Sequence, residues 1–244
     1  MERYTYNTSG VDQGAEKKIL RKSIELVDEL DVNVITFYVH TFDSTDWIER
    51  MLGEGATQLL RDGHEQDGIV FNLETHRTFD DHGDDCILVA LGQNSDTLFE
   101  LECVHKIQAI VALPWVQDEC YEWASSLDAY DLASEETQGS FDLSCVVEKA
   151  LEQLTQAINI TSGITNPHDE RRAKTYIRAL NKYDYELNVS AIKAYLVENN
   201  WTKNGMDTMA DLISTVNEGG YFQGGDTTGL QHHRNRWQEE CAEN

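Results

Sequence analysis

Apolar residues along this chain follow two patterns. In the first half they gather in short uninterrupted runs; in the second they recur almost only at helical intervals. Two runs set the frame, Cys86 to Leu91 and Ile107 to Leu113, and they flank Asp96 to His105, whose apolar positions have helical spacing. A β-α-β unit with strands buried on both faces has this form, because parallel strands covered by helices lose the usual in-and-out alternation.

Around that unit the pattern predicts further elements in order. Residues 1–13 read as a polar start. Residues 14–31 place Ile19, Leu20, Ile24, Leu26, Val27 and Leu30 at spacings of three and four, an amphipathic helix. Val32 to His40 is β-branched and aromatic and reads as the first core strand. A helix follows from near Asp46 to Gly63, capped by Asp43 or Ser44, with a break expected at Gly53 and Gly55. A second strand at Gly68 to Leu73 leads through Glu74 to Asp85, a polar loop or edge hairpin, into the β-α-β unit. Pro114 ends its last strand, and a helix from about Asp118 to Leu127 completes the first half. The polar stretch Ser134 to Asp142 breaks the pattern.

Beyond it, Leu143 to Ile160 reads as one long helix and Thr161 to Asp169 as a loop, after which His168 or Asp169 caps the basic helix ERRAKTYIRALNKY. Val189 to Glu198 and Met206 to Glu218 form a helix pair around Trp201, stopped by Gly219 and Gly220. The remainder, rich in Gly, Gln and His, reads as a polar tail with an aromatic anchor at Trp237. The expected fold is α/β: a Rossmann-like, open, mostly parallel sheet of about four strands, followed by an all-α C-terminal part. The expected domains are residues 1–133 and 143–244, joined by a linker at 134–142.

Charge narrows the classes of partner. The 244 residues carry 44 acids against 19 Lys plus Arg, a formal net charge of -25. Residues 1–142 hold 9 basic and 30 acidic side chains, and residues 143–244 hold 10 and 14, so the acidity belongs to the first part. Such a field repels phosphate backbones and anionic lipid, so neither direct nucleic-acid binding nor membrane binding is expected. The plainer meaning of the acidity is solubility in a salty, halophilic cell interior; the sharper one is docking on a basic protein partner. Five cysteines, none spaced as Cys-x-x-Cys, read as reduced and mostly buried thiols. The amino terminus has no apolar signal core and no run is long enough to span a bilayer, so a soluble, cytoplasmic protein is expected.

No phosphate loop, dinucleotide fingerprint, nucleophile elbow or His-Glu-x-x-His stands in the chain. Ligand sites in open sheets lie beyond the carboxyl ends of the strands. Read that way, His40 to Asp46, Glu74 to Arg77, Gly92 to Asp96 and Pro114 to Trp115 line one rim, with Asp43, Asp46, Ser95, Asp96 and Trp115 as candidate ligand-binding residues. Glu100 and Glu102, read as starting the helix after GQNSD, are candidate catalytic carboxylates able to stabilise an oxocarbenium-like charge; the plainer reading is two surface acids favouring the helix dipole. Asp80, Asp81, His82, Asp84 and Asp85 read as a solvated acidic loop without the register of a calcium loop, and no metal or cofactor is expected. The pair around NNWTKNG has a helix-turn-helix outline, yet its second helix offers Asp207, Asp211 and Glu218 where a groove reader needs Lys and Arg, so it reads as packing around Trp201.

Strand, small polar loop, then Phe-Glu-Leu-Glu over residues 81–115 resembles nucleoside deoxyribosyltransferases and, more loosely, TIR domains. That resemblance implies a nucleoside or nucleotide ligand and a catalytic Glu on this helix, with Glu100 the best-matching position and Asp43, Asp46 or Ser95 orienting the sugar. The helix those families carry between the second and third strands is missing. A second resemblance, carried by Asn159, Ser162, Gly163, Pro167, Asp169 and Trp201, is to uncharacterised two-part bacterial proteins and implies a shared architecture only. The favoured expectation is a binding or regulatory protein acting through its acidic α/β part on a protein partner or small ligand. The alternatives are a nucleoside or nucleotide N-glycosidase or transferase using Glu100, and a halophilic protein whose acidity has no binding role.

Overall fold

The apolar runs form the centre of one sheet. This computed structural model describes residues 1–7, 13–42, 45–139 and 141–243, and the chain divides into units Met1–Ser140 and Phe141–Asn244. Along the first come β1 (Glu2–Thr5), α1 (Gln13–Leu30), β2 (Val34–Val39), α2 (Asp46–Leu52), α3 (Ala56–Asp62), β3 (His64–Gln66), β4 (Ile69–Thr75), β5 (Cys86–Leu91), α4 (Ser95–Glu102), β6 (Ile107–Leu113), α5 (Tyr121–Ser126), β7 (Tyr130–Asp131) and β8 (Glu136–Thr137). Their sheet has eight strands in the order β3-β4-β2-β5-β6-β1-β7-β8. The six strands from β4 to β7 pair in parallel, and β3 and β8 pair antiparallel at the two edges.

The class is therefore α/β, and the expected four strands become eight. The added strands are short. β1 reads as a polar start because only four residues pair, yet it inserts between β6 and β7 with Arg3 opposite Ile110. β8 falls inside the segment expected as a linker.

β2 and β5 are buried along their whole length, and their alternate residues face opposite layers. Ile35, Phe37, Val39, Ile87, Val89 and Leu91 meet α1, α2 and α3 through Ile19, Leu26, Trp47, Ile48 and Leu60. Leu88, Ala90, Ile110 and Ala112 lie on the other face, which α4 and α5 cover with Leu98, Phe99 and Trp123. Each Val, Leu, Ile or Phe among them contributes roughly 1.5–3 kcal/mol by leaving water. The expected break at Gly53 to Gly55 separates α2 from α3.

The second unit holds α6 (Cys145–Ala157), a 3-10 turn (Ile160–Ser162), α7 (Pro167–Lys182), α8 (Val189–Glu198), α9 (Lys203–Asn217) and α10 (Leu230–Ala242). Ser144, Asn188 and Thr202 cap α6, α8 and α9 by accepting from Val147, Ala191 and Gly205 N–H. The cap of α7 is Asn166, followed by Pro167 at the first helical position, and not His168 or Asp169. Asp169 is the third residue of the helix, accepting from the Asn159 N–H. Trp201 is buried, its indole donating to Thr155 Oγ1 at 3.0 Å.

Two further expectations change here. Within the polar tail Leu230–Ala242 form a helix, α10, held by buried Leu230 and by Trp237, the expected anchor. The cysteines are not all reduced: Cys145 and Cys241 form a disulfide joining the start of α6 to the end of α10, with Cα atoms 5.9 Å apart. Cys86 and Cys120 are buried free thiols, both pushed up to about 11 by desolvation.

Candidate functional site

The carboxyl ends of β2, β4, β5 and β6 share one edge of the sheet, so the loops after them form the rim that the sequence points to. Asp43 lies outside the described residues. Asp46 and Asp96 are exposed in the first turns of α2 and α4. Asn94 caps α4 by accepting from the Thr97 N–H at 3.0 Å. Ser95 follows it, buried and bonded on every side: its amide and hydroxyl donate to the Glu119 carbonyl at 3.1 and 3.2 Å, and its Oγ accepts from the Trp123 amide at 3.2 Å. It fastens the start of α4 to the start of α5.

Because α4 begins at Ser95, Glu100 and Glu102 stand in its last turn and not at its start. The helix runs back from the rim, so Glu102 reaches Arg3, opposite Ile110 in the middle of β6, while Glu100 reaches Tyr38 near the end of β2. Glu102 is buried and accepts from Arg3 Nε and Nη2 at 2.9 and 3.1 Å and from the Trp123 indole at 3.0 Å. Glu100 is half-buried beside Tyr38, whose phenol is pushed up to about 12 by burial first and by the Glu100 charge second.

At the rim itself, Trp115 fills space instead of opening it. Gly92 follows β5 with φ 61, and a Cβ there would stand 1.2 Å from Trp115 Nε1. Only glycine lets the indole lie on this turn. The crevice left among Glu16, Trp47, Leu91, Gly92 and Trp115 measures about 20 Å³, space for roughly one water. The acidic loop closes similarly: Asp81 accepts from the His105 amide at 3.0 Å, Asp80 from the His82 amide at 2.9 Å, and Lys106 lies 3.6 Å from Asp80. Among the described residues no group of three or more His, Cys, Asp or Glu is placed to hold a metal ion.

An opening of another scale lies in the helical unit. A cavity of about 590 Å³ is walled by Gln153 and Gln156 of α6, His168, Arg171, Arg172, Thr175 and Tyr176 of α7, Asp226, and His233 and Arg236 of α10. That volume is in the range of small-molecule sites. Three guanidinium groups and two imidazoles face one carboxylate, an inversion of the charge of the chain as a whole.

Each guanidinium is anchored by a different neighbour. Arg171 pairs with Asp226, which keeps the guanidinium pKa above its ordinary value, and the Asp226 amide donates to Thr175 Oγ1 at 2.7 Å. Arg172 donates to the Ala157 carbonyl, and Arg236 Nε to Glu240 at 3.0 Å. A guanidinium has five N–H donors, so each retains capacity for a further acceptor. His233 is stacked on Trp237 with ring centres 5.8 Å apart, and Tyr176 closes the same aromatic group at 5.0 Å from His233. Burial, followed by His232 and Arg236, lowers the His233 pKa, while Asp226 opposes them.

Residues 143–238 match the family described as Domain of unknown function (DUF1889). No curated protein and no solved structure matches the chain. The DUF1889 segment contains every residue that lines the cavity and none of the sheet. Sequence reasoning did not bring this site together: the run at 171–178 reads as a basic helix and His232, His233, Arg234 and Arg236 as an exposed tail, with a metal-binding His pair as the lesser reading. A polar tail was expected where α10 stands, and without that helix the two runs have no reason to meet. No helix of the described residues is long and apolar enough to cross a membrane.

Proposed function

We propose that this chain is a binding protein whose helical unit holds a small anionic ligand in the cavity between α6, α7 and α10. The observation that carries this reading is the cluster of Arg171, Arg172, Arg236, His168 and His233 around about 590 Å³ in a protein of net charge -25. Long-range repulsion acts against any anion approaching such a surface, so a local basic cavity selects compact ligands over polyanions. Guanidinium forks suit phosphate or carboxylate, and the Tyr176 and His233 rings add an aromatic wall. Calorimetry of the full chain with pyrophosphate and with citrate tests it. Saturable binding that Arg172→Ala weakens supports the proposal; no binding of either probe at millimolar concentration removes it.

A second reading keeps N-glycosidic chemistry at Glu100, favoured by the Tyr38 phenol beside that carboxylate. Nucleoside turnover lost in Glu100→Gln would favour it over the first reading. The α/β unit serves, in our reading, as a Rossmann-like scaffold whose acidic surface keeps the protein soluble or meets a basic partner. We also propose a cytoplasmic location, where a disulfide such as Cys145–Cys241 is a regulated feature more often than a permanent one.

A further inference from the structure

We infer that the Cys145–Cys241 disulfide is a redox latch on the anion cavity, an inference that rests on the binding function proposed above. The cavity is open or intact according to where α10 lies, because α10 supplies His233 and Arg236 to a wall whose other parts come from α6 and α7. Attachments hold α10 along its length, among them a Gln238 side-chain hydrogen bond to the Tyr185 hydroxyl at 3.0 Å. Leu230 is buried at its start. At mid-helix Trp237 donates its indole N–H to Gln153 Oε1 at 3.0 Å, and the Gln153 amide donates back to Glu240 at 2.8 Å. At the end stands the disulfide, which spans 96 residues of sequence.

The disulfide is the covalent attachment. It ties the end of α10 to the start of α6, and the chain entering α10 includes Gly219, Gly220, Gly224, Gly225 and Gly229, so the far end is otherwise free to move when the helix loosens. Arg236 and His233 lie five and eight positions before Cys241, about one and two helical turns from the latch. Release of that end acts first on Glu240 and Trp237, and through their contacts with Gln153 on the two cavity residues beyond them.

The bond lies within reach of solvent, with Cys145 exposed and Cys241 half-buried. Free Cys86 and Cys120 are buried and held protonated, and free Cys103 is half-buried with its thiol donating to the Phe99 carbonyl. A low-molecular-weight thiol supplies the electrons. Its thiolate attacks Sγ of Cys241, forming a mixed disulfide and expelling the Cys145 thiolate, which the first turn of α6 favours electrostatically. A second thiolate attacks the small-molecule sulfur of the mixed disulfide and expels Cys241. Two small thiols leave as one disulfide, and two protein thiolates take up the two protons.

The test uses the full chain, oxidised and after treatment with a small dithiol, with alkylation and intact mass reporting the state of the bond. Pyrophosphate titration should give an affinity roughly tenfold weaker in the reduced protein, and Cys145→Ser should show the weak value whatever the redox state. Equal affinities in the two states overturn the latch and leave the binding function standing. Amide exchange of residues 230–242 supplies an independent readout should the oxidised protein bind no pyrophosphate, the result that fails the binding function. Exchange should be faster after reduction; unchanged exchange overturns the latch on its own.

Discussion

The carboxyl edge of the sheet and the cavity of the helical unit meet opposite demands. At the edge, polar groups are satisfied by one another: Ser95 holds Glu119 and Trp123, and an indole rests on Gly92. In the cavity the cations are likewise anchored, but around an opening of about 590 Å³ where the edge leaves about 20 Å³. A carboxylate in an attractive sequence context is thus no guide to a site unless the fold leaves space beside it. Charge carries the same lesson, since the half with fewer acids holds the basic cavity.

The comparison can be broken most forcefully at Glu102. Its side chain and that of Arg3 are 1% and 16% exposed, and Glu102→Ala strands the guanidinium and the Trp123 indole. A loss of about 3–5 kcal/mol is expected, read by denaturant unfolding, with pyrophosphate affinity unchanged in the folded protein. A change in affinity without a change in stability would move Glu102 into a ligand site. Next in size, Arg172→Ala removes a charged donor from the cavity and should weaken pyrophosphate by about 1.5–3 kcal/mol, while its exposed position leaves the melting temperature nearly unchanged.

The pH response sharpens the contrast with a smaller effect. His233 has its pKa lowered by burial, by His232 and Arg236 of its own helix, against Asp226 across the cavity. Below the ordinary histidine range the unfolded chain binds this proton before the folded one does, so His233 lowers stability as pH falls from about 6.5 through its depressed value. The same proton adds positive charge to the cavity, so pyrophosphate affinity should rise over that window. His233→Gln should flatten both curves, one by thermal melting and one by calorimetry. Smallest of all, Glu100→Gln should lower the Tyr38 phenol from about 12 by removing the charge that helps to raise it, as ultraviolet titration of phenolate would detect.

Sequence pattern was most legible where burial is complete. β2, β5, β6 and the helix between the last two follow from apolar runs that have no other explanation. β1, β3, β7 and β8 were not legible, because strands of two to four residues carry no period and gain their stability from neighbours distant in the chain. Position within a helix decided the fate of the candidate acids. Asn94 sets the start of α4, which puts Glu100 and Glu102 in its last turn and commits Glu102 to Arg3 and Trp123. The cavity escaped notice since its residues come from 153 to 236 and converge only when α10 docks, a step fixed by Trp237 and by a disulfide that spacing alone does not reveal.

The antiparallel strands β3 and β8 at the ends of the sheet have a meaning for the life of the protein among its own copies. A parallel sheet of buried apolar strands is a template on which another chain can add. Here the outermost positions are three and two residues long and include Glu65 and Glu136, both exposed. An incoming strand finds too few free backbone groups to bond and a carboxylate where it must settle. The sheet is finished at both margins, so crowding these molecules together gives it no route to grow.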